Sequence, residues 1–173
     1  MRLPILIAAA IAALWLNCGT TQAGRGLAVA DNPYCAITTY TMRDVPEQAM
    51  SLLDSNGRPV IVVSALLLNQ TPAYGRFLMA HECCHHTLGH VQRYQGGFGH
   101  VGPQPFFYIA PQLKQMELDA DCCAVRMLKS THQTDSIEAA RQTMLGFGAS
   151  PTGAYYPTGI ERADNIDRCV AQD

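Results

Sequence analysis

The segment Ala80-His81-Glu82-Cys83-Cys84-His85, in a chain of 173 residues, decides how the remaining sequence is interpreted. On a helix, which rotates by about 100° per residue, His81 and His85 lie about 40° apart and Glu82 lies beside them. Two imidazoles one turn apart can bind one zinc ion, and Glu82 can reach the water in the open coordination position. Such a site needs a third protein ligand, and Glu117 is the candidate.

Glu117 belongs to a second segment, Glu117-Leu118-Asp119-Ala120-Asp121, in which Glu117 and Asp121 share one helical face. The H-E-x-x-H pattern alone occurs by chance in many proteins, and its two histidines can equally be surface residues or hydrogen-bonded core residues. A downstream glutamate with an aspartate one turn later makes the combination more specific. Together the two segments predict a zinc hydrolase, and more narrowly a peptidase.

The first residues have the pattern of an export signal. Arg2 supplies a positive charge, residues 3–16 are almost entirely apolar, and Thr21 and Ala23 are small residues at the two positions that determine cleavage after Ala23. We therefore expect a signal peptide at residues 1–23, a single domain at 24–173, and a periplasmic or secreted protein. A retained membrane anchor is the alternative, but about 14 apolar residues are fewer than the roughly 20 needed to span a bilayer. Lipid attachment at Cys18 fits poorly, because Asn17 stands where a small residue is expected.

Composition restricts the partners. The net charge is −2, which gives no attraction to nucleic acid. Beyond the leader no apolar run is long enough to cross a membrane, so we expect no stable span once the signal is removed. The expected partner is a polypeptide substrate, and the sequence does not determine an oligomeric state.

The cysteines predict disulfides. Of seven in the chain, one is Cys18, and an even number remains in a chain expected to be exported. One of Cys83 and Cys84 could bond to one of Cys122 and Cys123, joining the two site helices, and the others could bond to the remaining two. The remaining two are Cys35 and Cys169.

Two other uses of the cysteines compete poorly. Adjacent cysteines on a helix point about 100° apart, and neither pair shares the face of both histidines, which disfavours thiolate ligation of zinc. A thiol oxidoreductase is disfavoured because the sequence has no C-x-x-C motif. Disulfides remain the leading interpretation.

Local patterns predict an α+β fold in which the site helices pack on a small sheet. Residues 24–33 should be loose, and the irregular stretch 95–105 is either a substrate-covering flap or a surface loop. Strands are expected within residues 34–42 and at 60–63. The strand at 60–63 could hold an extended substrate at the edge of the sheet, or be an ordinary core strand. Helices are expected at residues 45–50, 64–69, 72–94, 112–130, 136–145 and 159–171.

Several helix ends have expected signals. Asp44 should cap the helix at 45–50, and Pro111 should open the helix at 112–130. Residues 106–109 are either a core strand or the lead-in to that helix. Capping boxes are expected at two helix starts. These boxes are formed by Asp135 with Glu138 and by Thr158 with Glu161.

With both motifs and the strand at 60–63, the chain resembles the zinc metallopeptidases related to CAAX-prenyl protease and heat-shock protease HtpX, most nearly their small soluble periplasmic members. The segment Tyr156-Pro157 with Arg162 is similar to the family's H-P-x-x-x-x-R segment. The resemblance covers about residues 56–165. It implies a zincin-like fold of the minimal gluzincin type.

The resemblance also implies roles for individual residues. His81, His85 and Glu117 would bind Zn²⁺, and Glu82 would be the general base for the attacking water. Asp121 would accept an N–H from a ligating histidine.

In the matched segment near the end, the resemblance makes Tyr156 and Arg162 candidate catalytic residues. Tyr156 stands where relatives carry a histidine; its phenol would donate to the oxyanion, or it is a packed aromatic in a loop. Arg162 would orient substrate, pair with an acid at the site, or form a surface salt bridge. His90 matches the family pattern but would lie about 180° from His81, away from zinc. We therefore expect His90, like His86, to be structural, and His100 and His132 to be solvated.

These features predict a zinc-dependent metalloendopeptidase. The alternative is a non-catalytic, disulfide-stabilised module on the same fold that binds zinc or a partner. Glu82 discriminates between them, because a module that only binds zinc does not need this carboxylate.

Overall fold

The computed structural model describes residues 26–43, 45, 47–94 and 106–172, without the side chains of residues 106–108. The expected signal peptide at 1–23, Cys18, the Asp44 cap and the stretch 95–105 with His100 lie outside the described residues. The described chain is a small α+β fold of six helices and one four-stranded mixed sheet. The expected fold class is confirmed at this level.

The sheet combines parallel and antiparallel pairs. Its strands are β1 (Ala28–Ala30), β2 (Thr38–Met42), β3 (Ala49–Leu53) and β4 (Pro59–Ser64), in the order β1-β2-β4-β3. The central pair β2 and β4 is parallel, and the two outer pairs are antiparallel. The β-branched residues of β4 suit a strand with neighbours on both sides, and Ile61 and Val63 are fully buried.

Two expectations for the N-terminal part are wrong. Residues 24–33 were expected to be loose, yet β1 forms within them by pairing with β2. The helix expected at 45–50 is replaced by the start of β3, although Ala49 and Met50 are good helix formers. Main-chain pairing with β4 and burial of Ala49 outweigh this weak local preference.

Both β3 and β4 contact the site helix, and β3 is the edge strand of the two, because β4 lies between β2 and β3. The Ser64 N–H donates to the Gln48 carbonyl oxygen at 2.7 Å. This bond shows which residues of β3 form hydrogen bonds with β4 and which face away from it. By alternation, residues 50 and 52 bond to β4, and residues 49, 51 and 53 direct their peptide groups outward. Residues 60–63 therefore lie in an interior strand, as in the core-strand alternative, and the sheet edge on this side belongs to β3.

Two short helices flank the first site helix. Helix α1 (Ala65–Gln70) is capped by the Ser64 hydroxyl, and α2 (Pro72–Thr87) has proline in its first turn. The helix expected to run over 72–94 is interrupted at Gly89, which has φ 71°. A left-handed residue cannot continue a right-handed helix, so α3 (His90–Arg93) starts in a new direction.

Three more helices form where the sequence predicts them, and two of these have different ends from those predicted. Helix α4 (Phe106–Ser130) starts before Pro111, so 106–109 is a helix lead-in, and α5 (Thr134–Phe147) is longer than expected. The Asp135–Glu138 capping box does not form, because α5 begins earlier and Asp135 pairs with Arg76.

The last helix, α6 (Gly159–Ala171), has the bounds and the capping box that the sequence predicts. The Glu161 N–H donates to Thr158 Oγ1 at 3.2 Å, and the Thr158 N–H donates to the Glu161 carboxylate at 2.7 Å. These reciprocal bonds satisfy two main-chain donors at the helix start.

One hydrophobic core lies between the sheet and the four longer helices. Its largest fully buried apolar side chains include one from each of β4, α2, α4, α5 and α6, which bind the layers together. Burying a side chain of this size stabilises the fold by about 1.5–3 kcal/mol. These residues are Ile61, Phe77, Leu128, Met144 and Ile166.

Three disulfides join the elements that carry the site. Cys84–Cys123 links α2 to α4, Cys35–Cys83 ties the segment before β2 to α2, and Cys122–Cys169 ties α4 to α6. The expected scheme of one inter-helix bond and two outer bonds is confirmed, and thiolate ligation of zinc is excluded for these cysteines. Each bond closes a long loop and stabilises by about 2–4 kcal/mol.

Three cysteine pairs at bonding distance fit an oxidising, extracytoplasmic environment. Within the described ranges, no helix combines the length and apolar character required to cross a bilayer.

We predict that Gly159→Ala destabilises the protein by about 1–3 kcal/mol. A Cβ at this position would overlap the Met144 carbonyl oxygen and lie 2.6 Å from the Phe147 Cβ, so α5 and α6 would have to separate. The matched control is Gly146→Ala inside α5, where a Cβ meets no atom within 4 Å and helix propensity favours alanine. Urea unfolding should move in opposite directions for the two variants, and equal shifts would contradict this packing.

Candidate metal centre

Two helices bring His81, His85 and Glu117 to one point. His81 Nε2 lies 3.0 Å from His85 Nε2 and 3.3 Å from Glu117 Oε2, and His85 Nε2 lies 3.3 Å from Glu117 Oε1. One ligand atom from each residue lies within 4.8 Å of the other two. These residues, hereafter the metal triad, could hold a metal ion.

The metal triad is unequally exposed to solvent. His81 and Glu117 are buried, whereas the His85 side chain is 14% exposed. The helices make this arrangement possible because α2 and α4 pack along their length and Cys84–Cys123 joins them next to His85. A ligand would therefore approach from the side of His85.

Charge around His81 keeps it protonated when no metal is bound. Its Nδ1 lies 2.9 Å from Asp121 Oδ1, and its Nε2 faces Glu117. Burial alone lowers the pKa of His81, but hydrogen bonds and charge from Asp121 and Glu117 outweigh burial and raise it to about 10. Metal binding at neutral pH must therefore release this proton.

A buried arginine holds the two acidic residues of α4. Arg162 Nε lies 2.8 Å from Asp121 Oδ2, Arg162 Nη2 lies 2.5 Å from Asp121 Oδ1, and Nη1 lies 3.5 Å from Glu117 Oε2. Burial raises the pKa of Asp121, but the Arg162 charge and hydrogen bonds reverse that effect and the net pKa is lowered. For Glu117, bonds to His81 and His85 likewise outweigh burial and hold the pKa well below its usual range.

The geometry of Arg162 corresponds to one of the roles expected for it, pairing with an acid at the site. The residue is 5% exposed, and its guanidinium makes a two-point contact with Asp121, which is fully buried. The Arg162 side chain therefore acts on the metal triad through carboxylates.

His90 lies at the site, contrary to the expectation that it points away from His81. Its Nδ1 is 3.1 Å from His85 Nδ1, with the ring centroids 5.1 Å apart. The expected direction assumed a continuous helix, and the break at Gly89 changes it. Burial, then the charges of His85 and Arg93, lower the pKa of His90 to about 4. A neutral His90 can accept the Nδ1–H of His85, which fixes the tautomer that presents Nε2 to a metal.

Glu82 has a partner that the sequence did not reveal. The carboxylate oxygen Oε2 of this buried residue lies 2.5 Å from the Ser51 hydroxyl on β3, which also lies 2.8 Å from the Glu82 carbonyl oxygen. No motif includes Ser51. Its contribution depends on β3 being a strand, and local propensity pointed to a helix there.

Tyr156 is close enough to the charged residues of the site for their charges to change the pKa of its phenol. Burial raises the pKa of its phenol above the usual value, and the charges of Glu117, Glu47 and Glu82 raise it further against the opposing effect of Arg162. A Cβ on Gly153 would lie 2.5 Å from the Tyr156 ring, so only glycine lets the ring pack there. The phenol keeps its proton at neutral pH and can donate a hydrogen bond.

A second tyrosine was missed. Tyr74 lies two helical turns before His81 on the same face of α2 and is buried. Burial raises its pKa to about 12, and the nearby charges of Arg162 and Asp121 act on it in opposite directions. The sequence could have indicated this position, because Tyr74 precedes His81 by seven residues, which is two helical turns.

The other described histidines serve outside the metal triad. His86 Nε2 lies 3.1 Å from the Val60 carbonyl oxygen, which joins α2 to β4, and burial lowers its pKa. His132 is exposed in the turn after α4. Their positions agree with the structural and solvated roles expected for them.

We predict that Arg162→Gln destabilises the protein by about 3–5 kcal/mol at pH 7, because two buried carboxylates lose the arginine charge that pairs with both of them. The lowered pKa values of Asp121 and Glu117 mean that this contribution is present above about pH 4 and is lost as pH falls through the folded pKa values. The difference between wild type and variant should therefore shrink in acid.

Arg141→Gln is the matched control for that measurement. Arg141 pairs with Asp167 on the surface, where the pair is solvated, and should have little effect at either pH. Urea unfolding at pH 7 and pH 3 distinguishes the variants. Similar losses for both arginines would contradict the role of Arg162.

We predict that His90→Phe weakens metal binding by about 10- to 100-fold, because a ring of similar size stays but the acceptor for His85 Nδ1–H is lost. Competition with a chromogenic chelator measures the affinity. His132→Asn is the control, since His132 is exposed and has a positive φ that asparagine tolerates. Unchanged affinity in His90→Phe would contradict the assignment.

Comparisons of the chain with models of protein families, with curated proteins and with solved structures find no match.

Proposed function

We propose that this protein is a zinc-dependent metalloendopeptidase of the gluzincin type. The observation that carries the proposal is the spacing of the metal triad. Ligand atoms bound to a tetrahedral zinc ion at roughly 2.0–2.1 Å lie about 3.3 Å apart. The two histidine Nε2 atoms lie 3.0 Å apart, and each lies 3.3 Å from a different oxygen of the Glu117 carboxylate, which is close to the spacing that zinc requires. Two imidazole nitrogens and a carboxylate oxygen are also a donor set that suits zinc.

The number of ligands favours catalysis over a purely structural site. Structural zinc sites usually have four protein ligands, whereas catalytic sites have three and an open position. In the part of the chain that the structure describes, the metal triad supplies three ligands, and all six cysteines are in disulfides. His81 and Glu117 are buried and His85 is more exposed, so among these described residues the triad is most accessible on the side of His85.

Glu82 is the proposed general base. His81, His85 and Glu117 would hold the zinc ion, which would supply a Lewis acid to polarise a carbonyl and lower the pKa of a water to about 7. Glu82 follows His81 directly on α2, and its carboxylate is held at the β3 side of the helix. It accepts a proton from the attacking water and returns the proton to the leaving amine.

Two further residues support the reaction in different ways. Tyr156 retains its phenolic proton and donates a hydrogen bond to the oxyanion that develops on the substrate carbonyl. Arg162 keeps Asp121 and Glu117 ionised and in place, and Asp121 orients His81. Arg162 is therefore a positioning residue in this proposal, although the sequence resemblance grouped it with catalytic residues.

The sheet suggests how a polypeptide would bind. The outer edge of β3 carries the outward peptide groups of residues 51 and 53, whereas the Ala49 N–H donates to the Glu47 carbonyl oxygen, and β3 packs against α2. An extended peptide can add to such an edge by main-chain hydrogen bonds, which places a scissile bond beside α2 without a requirement for a particular side chain. Export and a periplasmic or secreted location remain part of the proposal, in agreement with the three disulfides.

We predict that zinc-loaded wild-type protein hydrolyses casein and that Glu82→Gln lowers the rate by at least about 100-fold while zinc stoichiometry is unchanged, because glutamine cannot accept the proton. A chelator should abolish the activity and added zinc should restore it. Glu138→Gln, a surface glutamate on α5, is the control and should keep full activity. Wild-type protein that holds zinc stoichiometrically but is as inert as Glu82→Gln would instead identify a non-catalytic zinc-binding or partner-binding module.

A further inference from the structure

We propose that Ser51 is a positioning residue that fixes the Glu82 carboxylate for proton transfer. The inference rests on the proposed function of Glu82. It starts from the contact between Ser51 Oγ on β3 and Glu82 Oε2 on α2, at 2.5 Å. A distance of this size is typical of a hydroxyl that donates to an ionised carboxylate.

Burial makes this contact consequential. Glu82 is 7% exposed, and a carboxylate removed from water needs a hydrogen-bond donor to stay charged at low cost. A glutamate side chain also has three rotatable torsions, so it can occupy several positions unless its end is held. The bond from Ser51 holds one carboxylate oxygen and thereby sets where the other oxygen lies.

The Ser51 hydroxyl has two acceptors within reach but one proton. The second acceptor is the Glu82 carbonyl oxygen at 2.8 Å. That carbonyl lies inside α2, where the helical pattern already provides it with a main-chain donor four residues later. The carboxylate is charged and therefore a stronger acceptor than the carbonyl oxygen, which already has a main-chain donor. Ser51 therefore donates its proton to the carboxylate.

The position of Ser51 on the strand separates its side chain from substrate binding. Its peptide N–H and C=O point to the outer edge of β3, where the polypeptide would pair, while its hydroxyl points to α2. Removing the hydroxyl leaves the edge peptide groups unchanged. Loss of Ser51 Oγ should therefore affect the chemical step more than the binding of substrate.

The test compares Ser51→Ala, Ser51→Thr and Thr41→Ala in the zinc-loaded protein with a fluorogenic peptide. We expect Ser51→Ala to lower kcat by about 10- to 100-fold with KM changed by less than about twofold, since a small displacement of a catalytic group has effects of this size. Ser51→Thr keeps the hydroxyl and suits a strand, so it should restore most of kcat. Thr41→Ala removes a strand hydroxyl that bonds to the Ala28 carbonyl oxygen, far from Glu82 in the sheet order, and should match wild type.

Two readouts do not depend on activity. Zinc stoichiometry of Ser51→Ala should stay close to that of wild type while its Tm falls, because a buried carboxylate loses its donor, and Ser51→Thr should keep the wild-type Tm. The crystal structure of Ser51→Ala should show the Glu82 carboxylate displaced or in several conformers. A loss of kcat accompanied by raised KM and a lowered Tm in both Ser51 variants would show a purely structural role and overturn the inference.

The remaining outcomes separate the two proposals. Active wild type with a fully active Ser51→Ala overturns the role of Ser51 and leaves the peptidase intact. Wild type that is inert with zinc bound removes the proposed function, and the role of Ser51 with it.

Discussion

The structure depends on the pairing of charges that are buried together. Glu117 and Asp121 are 6% and 0% exposed, and ionised carboxylates at such depth are stable only with cationic or hydrogen-bonding partners. The partners come from elsewhere in the chain, Arg162 from α6 and His81 from α2. The three helices must therefore be docked correctly before either carboxylate can remain ionised. The same requirement places three ligand atoms around one point, so assembly of the core and assembly of the site are a single event.

Much of the site was predictable because its information is local. The spacing of His81, Glu82 and His85 gives their common side of α2 from helix geometry alone, and Glu117 with Asp121 gives the facing side of α4. Strand β4 was found from its β-branched run, and the bounds of α6 follow from a capping box whose bonds lie within four residues. The disulfide scheme followed from geometry on a helix, since adjacent cysteines cannot face one partner.

Most of the failures involve contacts between distant parts of the chain, and one involves a local break in a helix. Residues 45–50 favour a helix by composition, but pairing with β4 makes β3, and Ser51 could not be connected to Glu82 without that strand. One glycine with φ 71° turns His90 back toward His85, where a continuous helix would have pointed it away. Asp135 was expected to cap a helix and pairs instead with Arg76 from α2. Arg162 is buried because α6 packs against α4 and α5, and no local sequence pattern predicts this packing.

The sulfur atoms that join α2 and α4 have a consequence for how the protein meets a reducing agent. Cys84 is fully buried and Cys123 is 8% exposed, so a thiolate cannot attack the Cys84–Cys123 bond while the two helices remain packed. Reduction must wait for transient separation of the helices, and its rate then reports how often that separation occurs. Bound metal would hold the helices together and slow the rate in proportion to occupancy. The bond is thus a built-in chemical reporter of local opening around the metal triad.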